Sequence, residues 1–173
     1  MSSFQERRKM NLKQKQMKLS KYVSLSEVTK SNTAIRKGID NTPNAEQLER
    51  IKALAVNVFD PLREFVKGAI FISSGFRSAA LNKAIGGSNT SQHSANNGAA
   101  FDLDDTFGHA TNKQMFDYIK DNLSFDQMIW EFGTDKNPDW VHVSYVSPAK
   151  NRMEILVAKK NSVGKTYYTK YID

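Results

Sequence analysis

The sequence predicts an α+β fold in which an antiparallel sheet is backed by helices. Segments with helical spacing of apolar residues come mainly first along the chain, and short strand-like segments separated by turn residues come mainly last. The composition, with 39% hydrophobic and 25% charged residues, is ordinary for a globular protein. At 173 residues the chain is long enough for one domain with a substantial core.

The predicted helices differ in length. Residues 44–66 are expected to form the main helix, because their apolar residues recur at helical spacing. Pro61 lies inside this run and predicts a kink or break near Asp60, since proline removes a backbone donor. Shorter helices are predicted over 78–84 and 112–122.

The predicted strands are recognised from apolar runs bounded by glycine and proline. They cover residues 69–73, 99–104, 127–132, 140–146, 153–158 and 167–172. In the second of these, side chains alternate between the two faces of the sheet. One face is predicted to carry Ala100, Asp102 and Asp104, and the other Ala99, Phe101 and Leu103.

The net charge of +7 is concentrated at the N-terminus. Residues 1–21 contain seven basic residues and one acidic residue, so the remaining 18 basic and 17 acidic residues leave a net charge of +1. We expect a flexible basic extension over 1–21, followed by a single domain over 22–173. An alternative role of the extension is weak, salt-sensitive contact with an anionic polymer, whether nucleic acid, anionic lipid or cell-wall polymer.

The sequence contains no apolar run of the roughly 20 residues that a membrane span needs. Residues 1–21 also lack the apolar stretch of a secretory signal peptide. We therefore expect synthesis in the cytoplasm, without an export signal.

Three residues suggest a metal site before any family is considered. The chain has no cysteine and three histidines, so a transition metal has to use imidazole and carboxylate ligands. His93 lies in a polar loop that contains glycine, Asp102 lies on a strand of small residues, and His142 lies in an apolar strand. Two histidines and one aspartate match a catalytic zinc site with an open position. Taken singly, each also fits an ordinary role as a hydrogen-bonded histidine or a strand-end carboxylate.

Three sequence stretches resemble the motifs of the zinc D-Ala-D-Ala carboxypeptidase family of metallopeptidases, in particular its phage and bacterial cell-wall branch. They read SGFRS, SQH…GAAFD and IWEF…WVHVSY, and the resemblance covers residues 25–146. It implies a D-Ala-D-Ala carboxypeptidase-like fold with one zinc ion on His93, Asp102 and His142. It also implies that Arg77 takes part in catalysis and in substrate binding, the latter together with Ser91.

The sequence departs from the family pattern at two places. Four residues, rather than the usual two, separate His93 from Gly98, which predicts a different rim of the site. The general base is the second departure, because the position three residues before His142 holds Asp139 instead of glutamate. We favour Glu131, whose apolar strand would raise the pKa of a carboxyl group, and keep Asp139 as the alternative base.

The resemblance implies a zinc-dependent peptidase that hydrolyses stem or cross-link peptides of peptidoglycan, as a carboxypeptidase or an endopeptidase. A phage lytic enzyme of the endolysin type would reach the bacterial cell wall after release, or would be carried in a virion. The alternative from another functional class is a non-catalytic cell-wall-binding or virion-structural module that keeps the fold.

Overall fold

A computed structural model describes residues 17–172. The helices are α1 (Leu25–Thr29), α2 (Asn32–Lys37), α3 (Ala45–Leu54), α4 (Asp60–Val66), α5 (Ala79–Ala84) and α6 (Asn112–Asn122). The strands are β1 (Phe71–Ser74), β2 (Ala99–Asp104), β3 (Gln127–Glu131), β4 (Trp140–Tyr145), β5 (Glu154–Lys160) and β6 (Thr166–Lys170). A π-helical turn, Ala55–Phe59, joins α3 to α4, and a 3-10 turn, Gln92–Ser94, precedes β2.

The strands form one sheet of six in the order β1-β2-β4-β3-β5-β6. This arrangement confirms the predicted α+β class. Neighbouring strands are antiparallel except β3 and β5, which run parallel, so the sheet is mixed. The parallel pair arises because β4 runs antiparallel to β3, so β4 ends beside the first residues of β3. A short connection then starts β5 beside the start of β3, and β5 has to follow the direction of β3.

The core lies between one face of the sheet and helices α3, α4 and α6. Phe101 on β2 packs edge-to-face on Phe59 with ring centroids 6.1 Å apart, and Trp130 on β3 packs in the same way on Phe116 of α6 at 5.1 Å. Ala99, Phe101 and Leu103 all belong to this core, as the alternation in the sequence predicts. Asp102 therefore points to the opposite face of the sheet, which leaves that face available for a site.

The main helix contains its predicted irregularity. The π-helical turn ends at Phe59, directly before Asp60, and Pro61 occupies the first turn of α4. Proline cannot donate a hydrogen bond to the carbonyl of the preceding turn, and the wider π turn accommodates this loss. The helix begins with a capping box, in which Asn44 accepts from the Gln47 N–H and Gln47 accepts from the Asn44 N–H, both at 2.9 Å.

The domain extends further toward the N-terminus than the predicted boundary at residue 21. Leu19 is only 6% exposed and belongs to the hydrophobic core. The Ser20 hydroxyl donates to Asp60 at 2.7 Å, and Lys21 forms an ion pair with Glu64 at 2.8 Å. Residues 17–21 are therefore part of the domain, because an apolar side chain anchors them, whereas residues 1–16 of the predicted extension lie outside the described residues. Within 17–172, no helix combines the length and the apolar character needed to cross a bilayer.

Candidate metal centre

His93 is buried and has one ring nitrogen free for a ligand. Its Nδ1 lies 2.8 Å from the carbonyl oxygen of Gly75. A carbonyl oxygen can only accept, so Nδ1 carries the hydrogen, and in the neutral form of the ring the lone pair lies on Nε2. That Nε2 lies 3.3 Å from Oδ1 of Asp102. Two acceptor atoms at this distance repel each other unless a proton or a metal cation lies with them.

Asp102 and His142 meet because they are paired in register on adjacent antiparallel strands, β2 and β4. The His142 Nδ1 lies 2.9 Å from Asp102 Oδ1, the same oxygen that faces His93. Ligand atoms of all three residues lie within 4.8 Å of one another. Two ligand atoms of a tetrahedral zinc ion are about 3.4 Å apart, since each lies about 2.1 Å from the ion. The three residues therefore form a group that could hold a metal ion.

The second oxygen of Asp102 is held by Arg77. The Arg77 Nη2 donates to Asp102 Oδ2 at 3.1 Å, and its Nε donates to the Ser74 hydroxyl at 2.9 Å. Burial acts to raise the pKa of Asp102, but the charges and hydrogen bonds of His93 and His142 in their protonated forms outweigh it and hold that pKa well below its usual range. Asp102 is therefore ionised, as a metal ligand has to be. Arg77 keeps three of its five N–H groups for other partners.

Glu131 and Asp139, the two candidate bases, lie in different environments. Glu131 ends β3, is 8% exposed and lines the same cleft as the three candidate ligands. Burial raises the pKa of Glu131 to about 7; the charge of His142 and that of Arg77 oppose this rise, and the charge of Asp102 adds to it. Asp139 is exposed and is not among the described residues that line the cleft. Its backbone N–H donates to the Glu131 carbonyl at 2.9 Å.

The cleft is open and has a volume of about 1290 Å³. Its lining includes six of the residues selected from the sequence, namely Arg77, Ser91, His93, Asp102, Glu131 and His142. Asp139 is the one selected residue that the structure leaves outside. The rim is formed by residues 85–90 and 96–97, and Lys150 and Arg152 contribute cationic side chains.

The lengthened loop between His93 and Gly98 is tied to two neighbouring elements. From α3, the Gln47 side chain donates to the Ser94 carbonyl and Arg50 donates to the Ala95 carbonyl, both at 3.0 Å. Gly98 then has a φ of +80°, and a Cβ there would lie 2.6 Å from the Tyr145 carbonyl oxygen, so the close approach to β4 requires glycine. The longer loop is thus held in place on both sides, by α3 and by the close approach to β4.

A second anchor of the loop was missed in the sequence. Gln92, next to His93, donates to Oδ2 of the buried Asp126 at 2.9 Å. Arg152 holds the same carboxylate through its Nε and Nη2 at 3.0 and 2.7 Å. The available signal was a charged residue, Asp126, directly before an apolar strand.

Two residues near the candidate ligands in the sequence do not join them. Asp104, which shares the strand face of Asp102, accepts from Thr106 at 3.1 Å and from Asn112 at 3.4 Å. His109 is exposed, and its ring lies against Gly68. It therefore provides a histidine control outside the site.

The open cleft contains two imidazoles and one ionised carboxylate. This group is a candidate metal centre of the hydrolytic type. A family model described as Peptidase M15 matches residues 21–144, which is more than half of the chain. The chain therefore belongs to the peptidase M15 family, and the resemblance to zinc D-Ala-D-Ala carboxypeptidase-type metallopeptidases is confirmed. No curated protein matched the chain. The matched residues include all three candidate ligands and Glu131, and they end before β5.

Proposed function

We propose that this member of the peptidase M15 family is a zinc-dependent enzyme that hydrolyses a stem or cross-link peptide of peptidoglycan. The observation that supports this most strongly is the convergence of His93 Nε2 and His142 Nδ1 on one oxygen of the ionised Asp102. A donor set of two imidazoles and one carboxylate, without thiolate, suits zinc and leaves a position for the reacting groups. When bound, zinc would polarise the scissile carbonyl and lower the pKa of a water molecule.

The residues around this group can perform the remaining chemistry. Glu131 accepts the proton of the attacking water and delivers it to the leaving amine. Burial raises the pKa of Glu131 to about 7 in the metal-free protein, and bound zinc would favour the ionised form that accepts a proton. The unused N–H groups of Arg77 hold a substrate carboxylate or the developing oxyanion. The Ser91 hydroxyl, which lines the cleft, is assigned a hydrogen bond to the substrate. Asp139 has no role in this proposal, because it is exposed outside the cleft.

The test is digestion of purified peptidoglycan fragments with and without a chelator, followed by mass spectrometry of the products. We expect hydrolysis at a peptide bond by the zinc-loaded protein, and none after chelation until zinc is restored. His93→Ala and His142→Ala should each lose both zinc and activity. His109→Ala is the matched control and should keep both, because that histidine lies outside the site. Bound zinc without any hydrolysis would instead support the non-catalytic wall-binding or virion-structural module.

The proposed place of action is the bacterial cell wall, and the proposed role of the basic N-terminal segment is to contact it. As a lytic enzyme of the phage type, it would reach the bacterial cell wall after release or in a virion. The net charge of +6 over residues 1–21 supports weak contact of this segment with an anionic cell-wall polymer. Removal of residues 1–16 should lower wall binding at low ionic strength and leave it unchanged in high salt.

A further inference from the structure

The cleft continues beyond the candidate metal centre onto β5 and β6, which lie outside the residues matched by the family. The strand register shows which residues of β5 and β6 face the cleft. Glu131 on β3 pairs with Ala158 on β5, and Ala158 pairs with Tyr168 on β6. Paired residues of adjacent strands point to the same face of a sheet, so Tyr168 shares the face of Glu131. Two strand spacings separate their backbones by about 10 Å.

Tyr168 is separated from Glu131 only by Ala158 on the intervening strand β5. The intervening Ala158 is 1% exposed and carries a single methyl group, whereas Tyr168 is 53% exposed and lines the cleft. Burial raises the pKa of Tyr168, and the charges of Glu131 and Asp102 raise it further. The phenol therefore stays neutral, and its ring is close enough to the site to be affected by the charges there.

Two more rings complete an aromatic border around Glu131. Trp140 pairs with Glu131 from the β4 side, and Phe132 directly follows Glu131 in the chain. The rings of Phe132 and Trp140 pack edge-to-face at 5.5 Å, and both residues line the cleft. Phe132 has a φ of +53°, a strained conformation for a bulky residue.

Two apolar side chains line the cleft between the candidate metal centre and β6. His142 pairs with Ile129 on β3, and Ile129 pairs with Leu156 on β5; both apolar residues line the cleft. The cationic side chains Lys150 and Arg152 precede β5 and lie near the opposite ends of these strands. The cleft thus has cationic side chains near the start of β5 and an aromatic part near Tyr168. Lys160 lies 5.4 Å from the centroid of the Phe132 ring, and Lys170, which pairs with Leu156, shares the sheet face of Tyr168.

We propose that Tyr168, together with Leu156 and Trp140, binds an extended segment of the peptide substrate on one side of the scissile bond. Tyr168 is then a specificity-determining residue, and the hairpin of β5 and β6 is part of the active cleft. The inference rests on the proposed function, because it assigns a subsite of the same cleft. Aromatic rings suit this task, since their faces pack on peptide planes and aliphatic groups with little loss of side-chain entropy.

The experiment compares three variants in steady-state hydrolysis of a peptidoglycan-derived peptide by the zinc-loaded enzyme. Tyr168→Ala should raise KM by about ten-fold with little change in kcat, because it removes binding energy shared by substrate and transition state. Tyr168→Phe should stay within about two-fold of the wild type, since the ring is kept. Tyr167→Ala is the matched control, because Tyr167 is 44% exposed on the same strand but points to the other face. It should leave KM unchanged.

A second measurement does not depend on turnover. In the Glu131→Gln background, calorimetry with the same uncleaved peptide should show a Kd about ten-fold higher when Tyr168→Ala is added. Equal zinc content and melting temperature in all variants would exclude a general loss of structure.

The outcomes separate the two proposals. If the wild type releases no product and binds no peptide, the proposed function and the subsite fail together. If the wild type is active and Tyr168→Ala leaves KM and Kd unchanged, only the subsite is refuted. The subsite is also refuted if Tyr167→Ala has an effect equal to that of Tyr168→Ala. An equal loss in Tyr168→Phe would overturn packing on the ring face as the mode of binding.

Discussion

Replacing Glu131 by glutamine should strongly lower kcat of the zinc-loaded enzyme and, in the metal-free protein, increase stability. A carboxyl group with an ordinary pKa of 4.5 has a pKa of about 7 when it is buried at this position. At 1.36 kcal/mol per pKa unit, the ionised side chain then costs at most about 3 kcal/mol of folding free energy. Glutamine has nearly the same shape and no charge to desolvate, so Glu131→Gln removes this cost.

The stability gained by Glu131→Gln should depend on pH. Because the pKa of Glu131 is higher in the folded than in the unfolded state, the stability due to its protonation is fully present below pH 4.5. It is lost as the pH rises through about 7. Glu131→Gln should therefore match the wild type near pH 4 and exceed it by as much as about 3 kcal/mol at pH 8. The control is Glu49→Gln, whose side chain is 70% exposed and pairs with Lys52 on the surface. It should change stability by less than about 1 kcal/mol at either pH.

The assay is urea denaturation in the presence of a chelator at both pH values, because a bound cation would itself favour the ionised carboxylate. In parallel, kcat of the zinc-loaded variant should fall by a factor of about 10² to 10⁴, with zinc content unchanged. Full activity of Glu131→Gln, or a stability gain that does not depend on pH, would refute the assignment of Glu131 as a buried base. Loss of activity in Asp139→Asn, with an active Glu131→Gln, would transfer the role to Asp139.

Further predictions concern the groups that surround the site and the core. Arg77→Lys loses the paired contacts to Ser74 and Asp102, so kcat/KM should fall at least about ten-fold in steady-state kinetics, with zinc retained. Arg152→Ala leaves Asp126, which is 2% exposed, without its charge partner, and should lower the unfolding free energy by about 1 to 3 kcal/mol at pH 7. Burial acts to raise the pKa of Asp126, but the hydrogen bonds from Arg152 and Gln92 outweigh it and lower that pKa. The difference in unfolding free energy between Arg152→Ala and the wild type should therefore shrink as the pH falls below 3.8, which urea denaturation at several pH values would show. Phe116→Ala empties a fully buried position against Trp130 and should cost about 3 to 5 kcal/mol in the same assay.

Much of the fold could be predicted because local patterns determine it. The bounds of β2 and α6 agree with the predicted ranges 99–104 and 112–122, since strand alternation and the threonine cap at Thr111 are local signals. The parallel pairing of β3 with β5 was not predicted. It depends on the side of β3 to which the chain returns after β4, which no short-range pattern specifies.

The candidate ligands could be selected because few residues were available and their motifs are specific. Their mutual distances could not be predicted, since they depend on the register that pairs Asp102 with His142. The same holds for Glu131 and Asp139. Both precede His142 in the chain, and only the pairing of Glu131 with Trp140 decides which carboxylate faces the cleft. Tyr168 was missed as a site residue for this reason, because two strand pairings bring it beside Glu131.

A crystal structure of the zinc-loaded protein, with anomalous diffraction data at the zinc absorption edge, would test directly whether His93, Asp102 and His142 hold the ion. We expect one strong peak, bonded to His93 Nε2, His142 Nδ1 and Asp102 Oδ1 at about 2.0 to 2.2 Å, with Glu131 on the open side. A zinc peak bound by other residues, or no peak in a protein soaked with zinc, would show that these three residues do not form the metal centre.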